Sequence, residues 1–418
     1  MLQAGSKNWI KKYIELASER TIDLSVHQPG DMSKETYLHT TLFRSGVVFG
    51  YASHLLFCPE EFRNDWTSDE QLKILLFESL YFVYKVERKE PLDDQFVFSL
   101  YDFYEKYRDN SSLNVFKLFF KETKHIQLEN ILHRRVHVKK TLKNQFWVNY
   151  LNNSLVFLDV LAFREYLVND KKLEESYEDF LMATLQTVAA ASLVDGNISA
   201  SEQTLIDVFI SSANIDEAEM KEFKKGLKEN TISIRDIKLP DKKDLLYKLF
   251  LIDMAVLTVH SDLAALDSEL VFLFQLCKYL DVDTDQLHKA VILIERFVIE
   301  NNHKVNFLAE QSSYEQLYTN FSRRWIKVLG RNKGKLIEEL KESKELIALV
   351  NKSLSHELTI EEKEKVKQQF SDIVKSMPAI AIFMLPGGLL ILPIILKIIP
   401  NLIPSAFKGN ETSEDNKE

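Results

Sequence analysis

The chain has 418 residues, of which 45% are hydrophobic and 28% charged, and its net charge at neutral pH is −9. This length is sufficient for two or three domains, and the acidic balance makes nucleic acid an unlikely partner, because a general nucleic-acid binder needs a basic surface. Glycine occurs only 11 times and proline 9 times. So few turn-forming residues predict an all-α protein with short connections between helices.

The sequence contains no motif of a common catalytic type. It has no Walker loop, no GxGxxG and no GxSxG. Its two cysteines, Cys58 and Cys277, lie too far apart for a CxxC redox or zinc motif, and their apolar surroundings predict buried thiols. We therefore expect a protein that is not an enzyme.

Residues 1–165 are predicted to form an N-terminal helical region rich in aromatic residues. Apolar residues recur at helical spacing in LLFESLYFVYKV and SLYDFYEKYRDN. The apolar run 45–58, SGVVFGYASHLLFC, is too short to cross a bilayer and predicts a core helix. In the basic stretch 133–143, His133 and His137 are spaced to share one helix face. We interpret this stretch as a solvated basic surface, with a metal site as the alternative.

Residues 170–310 contain an internal repeat with a constant offset of 67 residues. The stretch LVDGNISASEQTLIDVFISSANID (193–216) aligns with HSDLAALDSELVFLFQLCKYLDVD (260–283), so that Asp195 matches Asp262 and Glu202 matches Glu269. Each copy has the pattern of a helix, a short acidic turn and a second helix. Two copies predict a pseudo-symmetric helical bundle in which the two turns can approach each other.

The acidic turns have two interpretations. Four carboxylates brought together would offer the oxygen ligands that a hard divalent cation such as Ca²⁺ or Mg²⁺ prefers. An EF-hand is excluded, because Ala200 stands where that loop needs glycine and Ile206 where it needs glutamate. Alternatively the acids begin helices, since Ser199 and Glu202 have the spacing of a capping box. The candidate metal ligands are Asp195, Glu202, Asp262 and Glu269.

The phrase VDGNISASE, with its second copy at a fixed offset, resembles the tellurite-resistance TerB-like domain. The resemblance covers residues 170–310 and implies an all-helical bundle with acidic turns that binds a divalent metal or a protein partner. The second copy departs from the pattern, with Leu263 in the place of Gly196 and Leu266 in the place of Ser199.

Residues 311–352 are interpreted as a charged helical connector. Its stretch RRWIKVLGRNKGK (323–335) holds six lysines and arginines. The following stretch, HELTIEEKEKVKQQFSDIVK (356–375), predicts an amphipathic helix that begins at Thr359, with Glu362 completing a capping box. The polar tail 408–418 is predicted to be disordered.

The apolar stretch 377–407 is interrupted by five prolines. Residues 376–396 contain no charge, and as a helix they would measure about 31 Å, enough to cross a hydrocarbon core. Membrane helices tolerate proline, because neighbouring groups satisfy the freed carbonyls. We predict one kinked span or a re-entrant element, with a buried, proline-broken helix pair of a soluble protein as the alternative. The residues that define this segment are Pro378, Pro386, Gly387, Gly388, Pro393, Lys397, Pro400 and Pro404.

The proline spacing, the place of Lys397 and the ending PNLIPSAF resemble the membrane segment of the Letm family, the leucine-zipper and EF-hand transmembrane proteins of the mitochondrial inner membrane. The resemblance covers residues 353–407 and implies membrane lipid as a partner. It also implies, more distantly, cation/proton exchange and ribosome binding. Leu389 stands where the family has a glutamate, and this departure argues against an ion path.

A Letm-like segment joined to a TerB-like domain resembles bacterial proteins labelled Letm-related and biofilm-associated. This implies a bacterial protein in the inner membrane. Four lysines in the 15 residues before Met377 favour a cytoplasmic location for the bulk of the chain. A soluble cytoplasmic protein is the alternative. The expected partners are membrane lipid, an unidentified protein and, if the segment lines an ion path, further copies of the chain as a homo-oligomer.

Overall fold

The computed structural model describes most of the chain as helices and short connections. The described residues are 2–107, 123–138, 153–301 and 342–373, with short gaps at 31, 170–171, 174–176, 214, 216, 238, 240–243, 260–266, 354–357, 360, 363–364, 367 and 370–372. Every regular element within these ranges is helical, which agrees with the predicted all-α class. The chain divides into two compact units, Met1–Phe297 with Asn301–Ser312 and Val298–Glu300 with Ser313–Glu418.

The helices that begin in the first unit fall into an aromatic-rich N-terminal set and a later set. The N-terminal set is α1 (Trp9–Ser18), α2 (Lys34–Ser45), α3 (Ser68–Arg88), α4 (Asp94–Tyr107), α5 (Lys124–Val136) and α6 (Phe157–Val168). The later set is α7 (Tyr177–Ser192), α8 (Ala200–Ser212), α9 (Glu217–Lys228), α10 (Leu245–Val259), α11 (Asp267–Leu280) and α12 (Thr284–Asn301). Three short 3-10 segments, Val47–Phe49, Glu60–Asp65 and Ile234–Asp236, connect them.

Helix α3 forms the centre of the N-terminal set. It begins with a capping box, in which the Glu70 carboxylate accepts from the amide of Thr67 at 2.8 Å and the Thr67 hydroxyl accepts from the amide of Glu70 at 3.3 Å. It packs against both α5 and α6. Its Phe77 ring meets Phe96 of α4 edge-on at 5.6 Å. The aromatic spacing read from the sequence therefore marks a buried core, and both cysteines are buried thiols as predicted.

The predicted core helix over 45–58 is wrong, because two glycines interrupt it. Gly46 and Gly50 have positive φ values of 85° and 65°, a conformation that glycine adopts without steric cost. The chain between them forms a single 3-10 turn of buried residues. A β-carbon on Gly50 would lie 2.3 Å from the carbonyl oxygen of Asn153. The apolar content of this run reflects burial of an irregular segment between α2 and α3.

The later set follows the 67-residue offset helix by helix. Helices α8 and α11 begin at Ala200 and Asp267, and α9 and α12 begin at Glu217 and Thr284. The first helices of the two copies, α7 and α10, pack directly against each other. The residues aligned by the offset share their burial, with Leu185 and Ile252 both in the core. That this pair of copies is a TerB-like domain stays a prediction.

The N-terminal set and the later set pack together within the first unit. Helix α2 packs on α10, and α6 packs on α7. The first of these contacts contains a buried pair, in which His39 Nε2 lies 2.6 Å from Asp253 Oδ2. Side chains from both sides of residue 165 thus share one compact unit. The predicted division into an N-terminal helical region, 1–165, and a TerB-like domain, 170–310, stays a prediction.

The second unit contains the helix α13 (Lys344–Ser353) and further helical residues between 361 and 373. Both pieces bury apolar residues, namely Leu346, Val350 and Val366. Of the predicted connector 311–352, residues 311–341 lie outside the described residues. The apolar stretch 377–407 and the tail 408–418 also lie outside them.

Candidate functional site

The first acidic turn connects α7 to α8. Asp195 is exposed, and its Oδ1 accepts from the amide of Asn197 at 2.9 Å, which closes an Asx turn. Gly196 has a φ of 83°, and its carbonyl accepts from the side-chain amide of Asn230 at 3.2 Å. The exposed Asp195 carboxylate therefore holds the local turn.

Glu202 forms the capping box predicted for the start of α8. Its Oε2 accepts from the amide of Ser199 at 2.8 Å, while the Ser199 hydroxyl accepts from the amide of Glu202 at 3.2 Å. These two contacts satisfy backbone donors that a helix N-terminus leaves unpaired. At least one oxygen of this buried carboxylate is thus committed to the helix start.

The second acidic turn is described only in part. Asp262 lies outside the described residues, and Glu269 lies in the first turn of α11. Glu269 is 6% exposed and Glu202 is 5% exposed, so the offset-related glutamates are both buried. Within the described part of the chain, no group of three or more histidine, cysteine or acidic residues is placed to hold a metal ion. The four-carboxylate metal site stays a prediction.

The basic stretch at His133 does not continue as a helix. Helix α5 ends at Val136, and His137 follows in an extended conformation. The two histidine rings still lie 4.3 Å apart, and His137 Nε2 lies 2.6 Å from a carboxylate oxygen of Asp69. Burial, followed by the neighbouring His137, lowers the pKa of His133. Residues 139–143 of the predicted basic face lie outside the described residues.

An ion-pair cluster centred on Arg164 of α6 was not predicted. Its Nε donates to Glu87 of α3 at 2.8 Å, and its Nη2 donates to Glu35 of α2 at 3.2 Å. Its Nη1 donates to Asp244, which also caps α10 through the amide of Leu246. Burial disfavours the charged guanidinium, but Asp244 and then Glu87 outweigh it and raise the pKa of Arg164. A lone arginine in the apolar stretch FLDVLAFREYLV was the signal available in the sequence.

The amphipathic helix predicted after residue 356 begins with the expected capping box. The Glu362 carboxylate accepts from the amide of Thr359 at 3.0 Å, and the Thr359 hydroxyl accepts from the amide of Glu362 at 3.2 Å. Lys352 of α13 also donates to Glu362, at 2.5 Å. The hydrogen bond from Lys352, followed by that from the Thr359 amide, lowers the pKa of Glu362.

Polar contacts hold the two helical pieces of the second unit in an antiparallel pair. Gln369 accepts from Ser343 at 2.9 Å and donates to Glu345 at 2.5 Å. Lys365 lies 3.3 Å from the same Glu345 carboxylate. These contacts pair the start of α13 with the later helix, whereas Lys352 and Glu362 pair the opposite ends. The helix leading toward the apolar stretch is therefore fixed on one side by α13.

The predicted membrane segment lies outside the described residues. This applies to its prolines, to the Gly387–Gly388 pair and to Lys397. Of the helices that the structure describes, none combines the length and the apolar character needed to cross a membrane.

Comparison with known proteins relates the C-terminal part of the chain to one family. Residues 358–418 match a family model described as LETM1-like, RBD, where RBD denotes a ribosome-binding domain. The mitochondrial LETM1 domain-containing protein YLH47 of Saccharomyces cerevisiae is 34% identical over 80 residues, which are 19% of this chain and 17% of the yeast protein. No solved structure matches the chain. The chain is therefore similar to LETM1-like proteins in this part. Its TerB-like, bacterial and biofilm-associated features stay predictions.

Proposed function

We propose that the chain is a non-enzymatic membrane-associated protein whose Letm-related C-terminal segment attaches the first helical unit to a membrane. The match of residues 358–418 to the LETM1-like family carries this proposal. The capped helix from Thr359 leads directly toward the apolar, proline-broken stretch 377–407. The lysines before Met377 favour the cytoplasmic side of a bacterial inner membrane for the first unit.

Membrane partition tests this proposal. We expect the full chain to resist alkaline carbonate extraction, and a truncation ending at Ser376 to be released, because the truncation removes the whole apolar stretch. A truncation ending at Phe407 is the matched control, since it removes only the polar tail and should resist extraction as the full chain does. Release of the full chain would contradict the attachment and would favour buried helices of a soluble protein.

Ribosome association is a second candidate, favoured by the description of the matched family as an RBD. In this second candidate function, the C-terminal segment binds a ribosome and holds it at the membrane. Co-sedimentation of detergent-solubilised full chain with ribosomes, compared with the truncation ending at Ser376, tests it. Cation transport is less favoured, because Leu389 replaces an ionisable residue inside the apolar stretch.

A divalent cation at the acidic turns is a further proposal, motivated by the equivalent places of Glu202 and Glu269 in the first turns of the offset-related helices α8 and α11. Carboxylate oxygens are the ligands that Ca²⁺ and Mg²⁺ prefer in proteins. We expect millimolar Ca²⁺ or Mg²⁺ to raise the melting temperature of the full chain, and Glu202→Gln combined with Glu269→Gln to remove most of that rise. Glu178→Gln, an exposed change on α7, is the control. If neither cation shifts melting, the acids serve only to begin helices.

A further inference from the structure

A cavity of about 410 Å³ lies in the first unit beside Arg164. Its walls come from four elements, namely α2, α6, α7 and the start of α10. The volume falls within the range of about 300–1,000 Å³ that small-molecule sites have. None of the described residues of the acidic turns or of the second unit lines this cavity. The metal and membrane proposals therefore do not account for it.

The charged groups that line the cavity are predominantly negative. Glu35, Glu165 and Asp244 contribute three carboxylates, and Arg164 contributes one guanidinium, which leaves two negative charges. Each nitrogen of the Arg164 guanidinium already donates to a carboxylate, from Glu87, Glu35 or Asp244. The arginine is therefore neutralised by its partners and is poorly placed to recruit an anion, whereas the excess carboxylate charge attracts a cation.

The rest of the wall is mainly apolar, with Asn169 as the polar exception. Phe180 and Tyr247 meet edge-on at 4.7 Å, and the Tyr247 hydroxyl donates to the Phe180 carbonyl at 3.0 Å. Both side chains are buried, so they form a fixed surface. Val168 lies at the rim and is 54% exposed. An aliphatic chain entering past Val168 would thus find apolar contacts within the cavity.

We propose that this cavity binds an organic cation, a primary ammonium or guanidinium carried on an aliphatic stem. The cation lies against the carboxylates of Glu35 and Asp244, and the stem packs against the apolar wall near Phe180 and Tyr247. A bare metal ion would use the carboxylates but leave the apolar wall without a contact, so a cation with an aliphatic stem fits the whole cavity better. The same chemistry is offered by a free polyamine and by a lysine or arginine side chain of a partner protein.

Calorimetric titration of the full chain with 1,5-diaminopentane tests the proposal, with pentane-1,5-diol as a neutral probe of the same length. We expect saturable binding of the diamine and none of the diol. Glu35→Gln should weaken the diamine at least tenfold, and Val168→Trp, which obstructs the rim without touching an ion pair, should do the same. Glu178→Gln removes an equal charge outside the cavity and should leave binding unchanged.

Two outcomes would overturn the proposal. One is equal behaviour of the diamine and the diol, and the other is equal weakening by Glu178→Gln, which would reveal attraction to the overall charge only. Spermidine and a short lysine-containing peptide distinguish a free polyamine from a side chain of a partner protein. Whichever of the two corresponds to the natural ligand should bind more tightly than diaminopentane. None of these results depends on membrane attachment, so the two proposals fail separately.

Discussion

Replacing Glu78 by leucine is expected to lower the free energy of unfolding by about 3 kcal/mol or more, because a buried donor left unsatisfied costs about 1–3 kcal/mol. Glu78 is buried in α3, and its Oε1 accepts from the Tyr13 hydroxyl at 2.7 Å and from the amide of Cys58 at 2.8 Å. Its Oε2 accepts from the amides of Leu56 and Phe57 at 2.6 and 3.3 Å. Leucine would leave these donors buried without an acceptor, which is the costly way to lose a hydrogen bond. Urea unfolding followed by circular dichroism measures the change.

Two milder changes at the same place serve as controls. Tyr13→Phe removes a single donor and should cost about 1 kcal/mol. Glu78→Gln keeps one acceptor oxygen, so its loss of unfolding free energy should lie between the losses caused by Tyr13→Phe and Glu78→Leu. If Glu78→Leu were as stable as Tyr13→Phe, the segment 54–58 could not depend on this carboxylate for its conformation.

Removing Asp253 is expected to cost about 3 kcal/mol, because it leaves a buried histidine without its partner. Asp253 is fully buried in α10, and its Oδ2 contacts His39 of α2 at 2.6 Å. Its Oδ1 has no hydrogen-bond partner among the residues that the structure describes. Asp253→Ala should therefore loosen the contact between α2 and α10, which hydrogen exchange of α2 amides would report. Asp253→Asn keeps the size and one hydrogen bond, and should cost less.

The buried Asp253 carboxyl is also expected to make the free energy of unfolding depend on pH. Burial raises the pKa of Asp253, although His39 opposes this. A carboxyl with a raised pKa in the folded state contributes stability below its unfolded value of about 3.9, and this contribution is lost as the pH rises through the folded pKa. The unfolding free energy of the unchanged chain should thus fall relative to that of Asp253→Asn above about pH 4. A difference that stays constant from pH 4 to 8 would mean that Asp253 does not titrate differently on folding.

The sequence was most informative where a local rule decides the structure. The 67-residue offset predicted the starts of paired helices, because equivalent apolar patterns form equivalent amphipathic faces. The capping boxes that begin at Ser199 and Thr359 could be predicted from the sequence, because their two residues lie three positions apart. The Letm resemblance over 353–407 agrees with the family match over 358–418. Each of these signals is a pattern along the chain that can be recognised without knowing which distant residues come into contact.

The features that were missed depend on contacts between distant residues. Glu78 and Asp253 each lie in an apolar helical stretch, and no local rule identifies the partner that makes a buried acid tolerable. The close approach at Gly50 involves the Asn153 carbonyl, about 100 residues away in the sequence. The cavity beside Arg164 requires helices from both predicted regions. Local sequence patterns therefore predicted helices and their starts. The buried polar contacts could not be predicted in this way, because they depend on how the helices pack together.

The contact between α2 and α10 also has a consequence for biosynthesis. His39 and Asp253 are 214 positions apart, so a ribosome moving at about 5–20 residues per second needs about 10–40 s to add the second partner after the first. During that interval the apolar face of α2 has been translated but the helix that covers it has not. The nascent N-terminal helices should therefore be a substrate for chaperones, until translation has passed α10.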